Sequence, residues 1–203
     1  APDAYWRKFQ VKIRQQYSSF NPKGLDLYLQ NEERALNSKT REMIEDIEIY
    51  MQRDFKEKLT IEFGAEWAWK KGAPVGIMDG VTLRMNQKNR TKSKSEETDE
   101  WDNLNLIDYE KIANKNWTIA EDGKTRKFFE RYYTRPDDEK FSKKDSLKWF
   151  DKLNKCRNIV SHVSSEQITQ NDFDFITHLH DWLINKTIKN TYQIADAEED
   201  ELA

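Results

Sequence analysis

Turn-forming residues are scarce in this chain. Its 203 residues hold six glycines and four prolines, too few to punctuate the many short strands of a sandwich or barrel, so the balance points to helix. A single cysteine, Cys156, excludes an intramolecular disulfide framework and fits a reducing compartment. No run of about 18 apolar residues occurs, so no membrane-spanning helix is expected. No secretory signal pattern is visible either, and the expected location is cytoplasmic. The chain begins at Ala1, which leaves a processed product and an excised fragment both open. A charge excess of one sign is also missing: 34 basic side chains stand against 37 acidic ones, for a net charge of -3. That argues against a protein basic all over but leaves room for a local basic patch that holds nucleic acid. There is no glycine-rich phosphate loop, which argues against nucleotide hydrolysis, and no internal repeat at a usual period.

Large aromatic side chains are what the chain does have. Hydrophobic residues reach only 36%, but seven of them are Trp, and each buried Trp or Phe removes roughly 150–250 Å² from water. A core is therefore attainable in an all-α fold. Tyr5, Trp6, Phe9 and Ile13 fall at helical spacing and predict a first amphipathic helix. Asn21-Pro22 and Gly24 break it, and residues 25–36 give a shorter helical piece. Residues 1–39 are thus expected to form an N-terminal helical extension. The main helical domain is expected over residues 40–190, with an acidic, mobile tail at 191–203.

The longest predicted helix starts at Thr40 as N-cap, carries Met43, Ile44, Ile47, Met51, Phe55, Leu59 and Phe63 inward, and ends at Gly64. An aromatic-rich turn follows, with Trp67 and Trp69 expected in the core. Residues 84–100 form a polar bridge in which Arg84, Lys88, Arg90, Lys92 and Lys94 precede a switch to acid at Glu96. It reads either as a solvated helix end and loop or as a basic edge for an RNA backbone. Leu106, Tyr109, Ile112 and Ala113 predict a short helix ending near Asn116. Residues 124–133 are read as another helical turn or two led by Phe128 and Phe129. After a loop, a helix starting at Ser142 or Lys144 runs to about His162, and a last one carries Phe175, Ile176, Leu179, Trp182 and Leu183.

The helix ending near His162 holds the candidate site. Trp149, Leu153, Cys156, Val160 and Val163 step by four, three, four and three and form one apolar seam. Cys156 belongs to that seam and reads as a small buried hydrophobe. Measured from Arg157, Asn158 lies about 100° round and His162 about 140°, away from the seam, with Arg157 on the boundary. Five residues of helix separate Arg157 and His162 by about 7.5 Å of rise, so a phosphodiester could sit between them. Imidazole moves a proton near neutral pH, guanidinium offers a fixed fork to phosphorane oxygens, and an amide can orient either. The plain alternative is a solvent-exposed histidine near a helix end. His178 and His180, two residues apart, diverge by about 200° on a helix and cannot share a metal ion, so no metal site is expected.

The run Arg157-Asn158-Ile159-Val160-Ser161-His162 resembles the Arg-x4–6-His signature of the HEPN superfamily, in which a polar residue directly after the arginine is part of the pattern. The likeness spans roughly residues 40–189, and its flanking segments resemble the subgroup often joined to ATPase or nuclease modules. The resemblance implies an antiparallel helical bundle that dimerises, with two motifs facing each other. It also implies a metal-independent endoribonuclease without cofactor, of the kind found in toxins, antiviral defence and RNA processing. By position, Arg157 stabilises the transition state, His162 acts as acid or base, and Asn158 orients, with Ser161 beside them on the RNA. Implied partners are RNA, a second copy and a linked or associated ATPase or nuclease module. Some members keep the fold without catalysis, so a non-catalytic RNA-binding, dimerisation or protein-interaction module is the alternative.

Overall fold

The computed structural model describes residues 12, 24–121, 123–135, 142–161 and 167–185. The expected helix around Tyr5, Trp6, Phe9 and Ile13, His162 and Val163 of the motif, and the tail at 191–203 lie outside them. The described residues are mostly helical, with one two-stranded sheet, and none of their helices is long and apolar enough to cross a membrane.

Helix α1, Leu25–Phe63, is the spine. Ile44, Ile47, Met51, Phe55 and Leu59 recur every three or four residues and are 0–2% exposed, so one stripe of the helix is sealed from water. Gly64 ends it at φ +80, donating its N–H to the Thr60 carbonyl at 2.8 Å. The sequence predicted a new helix at Thr40; the chain instead runs through that point unbroken. Thr40 is fully buried, and its hydroxyl donates back to the Leu36 carbonyl at 2.8 Å, so its polar group is satisfied without capping anything. The boundary expected between residues 39 and 40 falls inside this single helix, and Leu36 joins the core.

Past Gly64 the expected turn contains a short helix α2, Ala68–Gly72, and then α3, Val75–Asn89, begins after Pro74. Gly72 is where α2 meets α1: a Cβ there would lie 2.8 Å from Leu59 Cδ1. Of the two tryptophans expected in the core, only Trp69 faces it, edge-on to Trp101 at 5.2 Å. Trp67 is 45% exposed and has Lys70 and Lys71 over its ring. A 3₁₀ turn at Trp101–Asn103 leads into α4, Leu106–Lys115.

The second correction concerns residues 124–127, read above as helix. They form strand β2, Lys124–Lys127, paired antiparallel with β1, Thr118–Glu121, so that Thr118 faces Lys127 and Glu121 faces Lys124. Gly123, at φ +76, supplies the left-handed residue that the tight connection needs. Arg126 ties the hairpin to the end of α1 through Glu62 at 2.5 Å. Helix α5, Phe129–Tyr133, follows and delivers two aromatic rings inward.

The remaining helices close the core. Ser142 caps α6, Lys143–Ser146, and α7, Lys148–Ser161, continues from it. Thr169 caps α8, Gln170–His180, in a reciprocal box with Asp172, and a π turn at Asp181–Asn185 extends it. Trp149 meets Trp182 and Lys152 lies over Phe175, so α7 and α8 are antiparallel. Arg41 reaches Val160 and Glu48 reaches Arg157, which sets α7 antiparallel to α1. Met43 against Thr177 and Asp46 against His180 set α8 parallel to α1. Phe55, Tyr109, Phe129, Tyr133, Trp149 and Phe150 interlock where α1, α4, α5 and α7 meet. Each such ring contributes on the order of 1.5–3 kcal/mol by burial.

Candidate functional site

Helix α7 divides its residues as its sequence dictates. Trp149, Leu153, Cys156 and Val160 are 0–5% exposed. Asn158 and Ser161 are exposed, and Arg157 stands half-buried on the boundary. Burial pushes the Cys156 thiol up to about 11, with Asp172 adding to the effect, so this sulfur is a packing group and not a nucleophile.

What Arg157 meets was not visible in the motif. Arg41, Glu45, Glu48 and Gln52 step by four, three and four along α1 and form a polar stripe, from which Arg41 and Glu48 reach α7 and Gln52 donates to Asp102. Arg157 Nε lies 3.6 Å from Glu48 Oε1, with the two side chains 39% and 33% exposed. That separation exceeds the ~2.7–2.9 Å of a strong charge-assisted hydrogen bond, and a half-exposed pair of this kind contributes about 1 kcal/mol or less. The other guanidinium donors of Arg157 have no partner among the described residues. At the far end of the stripe, Arg41 donates to the Val160 carbonyl. It thereby satisfies one of the orphan acceptors that end α7, one turn after Arg157 and two residues before His162.

Beside Arg157 opens a cavity of about 400 Å³ between α1, the 3₁₀ turn and α4. Glu45, Glu48 and Asp102 bring negative charge to it, Arg157 brings positive charge, and Trp101 and Tyr109 form aromatic wall. Burial raises the Glu48 carboxyl above its ordinary value of 4.5; Arg157 opposes that shift and Glu45 reinforces it. Burial also raises the Tyr109 hydroxyl well above its ordinary range, helped by Glu48, Asp108 and Asp102, so it stays a hydrogen-bond donor.

Comparison of the chain with protein-family models, curated proteins and solved structures finds no match.

The other expected RNA contacts lie elsewhere. Arg84 is half-buried and structural in its contacts: Nε donates to the Asn103 carbonyl at 2.9 Å and an Nη to Asp108 at 2.5 Å. Asp108 in turn accepts the Asn105 N–H at 2.8 Å at the start of α4, so Arg84 joins α3 to that helix. Lys88 and Arg90 are exposed and Lys92 is half-buried. None of the four lines the cavity. His180 pairs with Asp46 at 3.3 Å and His178 is exposed. Asp46 lies two residues from Glu48 on α1, about 160° round the helix, so these histidines face another side of α1 from Arg157. Among the described residues, no group of three His, Cys, Asp or Glu side chains is placed to hold a metal ion. Arg41, Glu45, Glu48 and Tyr109 are the site neighbours that the motif alone did not reveal. The sequence signal was present only in part, as polar residues at helical spacing on α1.

Proposed function

We propose that this chain is a metal-independent endoribonuclease of HEPN type, cutting RNA with Arg157 and His162 at a site completed by a second copy. The observation that carries the reading is the state of Arg157. It stands on the outward boundary of α7 with most of its fork unpaired among the described residues and only a weak hold on Glu48. A phosphodiester can replace that hold and take two parallel N–H donations. In the reaction the 2′-hydroxyl attacks phosphorus and loses its proton to a base, and the bond to the 5′-oxygen breaks as an acid protonates the leaving oxygen. The products are a 2′,3′-cyclic phosphate and a 5′-hydroxyl. His162 serves as acid or base, Arg157 stabilises the charge on the phosphorane, and Asn158 orients. Ser161 and the exposed Lys88 and Arg90 are available to RNA.

The test is incubation of the purified protein with mixed RNA in EDTA, beside Arg157→Ala and His162→Ala. Cleavage that both substitutions abolish supports the reading, whereas equal cleavage by all three proteins sinks it. Light scattering adds the assembly: a strict monomer contradicts a site shared by two copies. A second reading has an observation of its own. Glu45, Glu48 and Asp102 around Arg157 oppose the approach of a phosphate, which favours a module that binds a partner or dimerises without cutting. Retained binding with no cleavage selects it.

A further inference from the structure

The cavity beside Arg157 is built for something other than a phosphate. Three carboxylates against one guanidinium leave it acidic, so a bare anion is repelled. A free cation meets Arg157 at the rim, and a purely apolar guest would desolvate Glu48 without compensation. The walls also carry donors in want of an acceptor. Tyr109 is 4% exposed and Trp101 is 6% exposed, and neither the phenol hydroxyl nor the indole N–H has a hydrogen-bond partner among the described residues. Among the described residues the buried side-chain atoms without a partner are Asn37 Oδ1 and Thr134 Oγ1, so the unpaired Tyr109 hydroxyl and Trp101 indole N–H keep access to open space, and both residues line the cavity. An unpaired donor at a cavity wall takes its acceptor from the open space in front of it.

The guest that fits is flat, uncharged, and carries N–H donors beside an acceptor. About 400 Å³ is near the lower end for ligand clefts, enough for one base and part of its sugar. We infer that this cavity takes a guanine base, with its N1–H and N2–H donated to the Glu48 carboxylate and its O6 accepting from the Tyr109 hydroxyl. Guanine alone among the four RNA bases presents two adjacent N–H donors, the geometry that a carboxylate receives in a bidentate pair. Adenine and cytosine offer one amino group beside a bare ring nitrogen, and uracil offers one N–H between two carbonyls. Glu48 has the capacity, because its contact with Arg157 is long. Single-stranded RNA is read in this way, by splayed bases bonded along their Watson–Crick edges. The inference deepens the nuclease reading and rests on it, since the base belongs to the RNA whose phosphate Arg157 holds.

Calorimetric titration of the full chain with the four nucleoside 3′-monophosphates tests it, because all four carry the same phosphate and differ only in the base. Guanosine 3′-monophosphate is expected to bind about tenfold more tightly than the other three, the scale set by one charge-assisted bidentate contact. Glu48→Gln is expected to erase that preference, and Tyr109→Phe, which keeps the ring and its packing, to reduce it a few-fold. Circular dichroism and melting confirm that each variant is folded. Equal binding of all four nucleotides overturns the inference, as does an undiminished guanine preference in both variants. The two readings fail separately. RNA cleavage with no base preference overturns the guanine site alone, and guanine-selective binding by a protein that never cuts overturns the nuclease alone.

Discussion

Removing the Arg41 guanidinium tests how the motif helix is held. Its donation to the Val160 carbonyl is the tie between the polar stripe of α1 and the last turn of α7. A hydrogen bond from a charged group is worth about 1.5–3 kcal/mol when well shielded, and a cation at a helix C-terminus about 0.3–1 kcal/mol. Arg41 is exposed, so solvent screening reduces the sum to about 1 kcal/mol. That loss falls on the last turn, which leaves the earlier seam residues Leu153 and Cys156 in place. In Arg41→Ala the population with the last turn open therefore rises about fivefold. Amide hydrogen exchange across residues 157–161 should accelerate by that factor, while core amides of α1 keep wild-type protection. Arg41→Lys, with a charge but no fork, should recover part of the effect. Under the nuclease reading, kcat falls with the same variant, because the turn that leads into His162 loses its anchor. Wild-type exchange in that turn, or acceleration spread evenly over the whole chain, would refute the reasoning.

Other consequences follow from the same contacts. Arg84→Ala should cost about 1–3 kcal/mol in denaturant unfolding, because it strands Asp108, whose side chain is 7% exposed; an unchanged midpoint contradicts the structural role of Arg84. The Cys156 thiol, buried and pushed up to about 11, should resist iodoacetamide at pH 7.5 in the native protein and react in urea. Equal rates in the two states would remove it from the seam. Because burial raises the Glu48 carboxyl above 4.5, the folded state binds more protons there than the unfolded state does. Its contribution to stability therefore falls as pH rises from about 4.5 through the raised folded value. The difference in melting temperature between Glu48→Gln and the wild type should grow in favour of the variant across that window. A difference independent of pH contradicts the shift.

The helices that carry a strong apolar stripe were legible in the sequence: the inward positions of α1 beyond Thr40, the seam of α7 and the inward face of α8. Their spacing is set by helix geometry, and most of those positions are buried, while Met43, Phe63, Phe175 and Trp182 are only partly buried against the core. The join at residues 37–40 was not. Asn37, Ser38 and Thr40 carry capping side chains, and local preference points to a helix start. Packing of Leu36 and Thr40 into the core overrides that preference. The hairpin was missed because Phe128 and Phe129 drew the preceding residues into a helical reading, although the Asp-Gly pair at 122 and 123 is a hairpin signal. Helix α3 buries only Ile77 and Val81 of its fifteen residues, too weak a stripe to register. Within the site, the outward face of α7 was legible from one helical wheel. The contact of Arg157 with Glu48 joins α7 to α1, and Tyr109 comes from α4. Only the tertiary packing of three helices brings those side chains together.

The most direct test of the account is the chemistry of the RNA ends produced in EDTA. Wild-type protein is expected to leave a 2′,3′-cyclic phosphate and a 5′-hydroxyl, resolved by mass spectrometry, and neither end should form with Arg157→Ala or His162→Ala. Products bearing a 5′-phosphate, or cyclic-phosphate ends that persist in both variants, would contradict it.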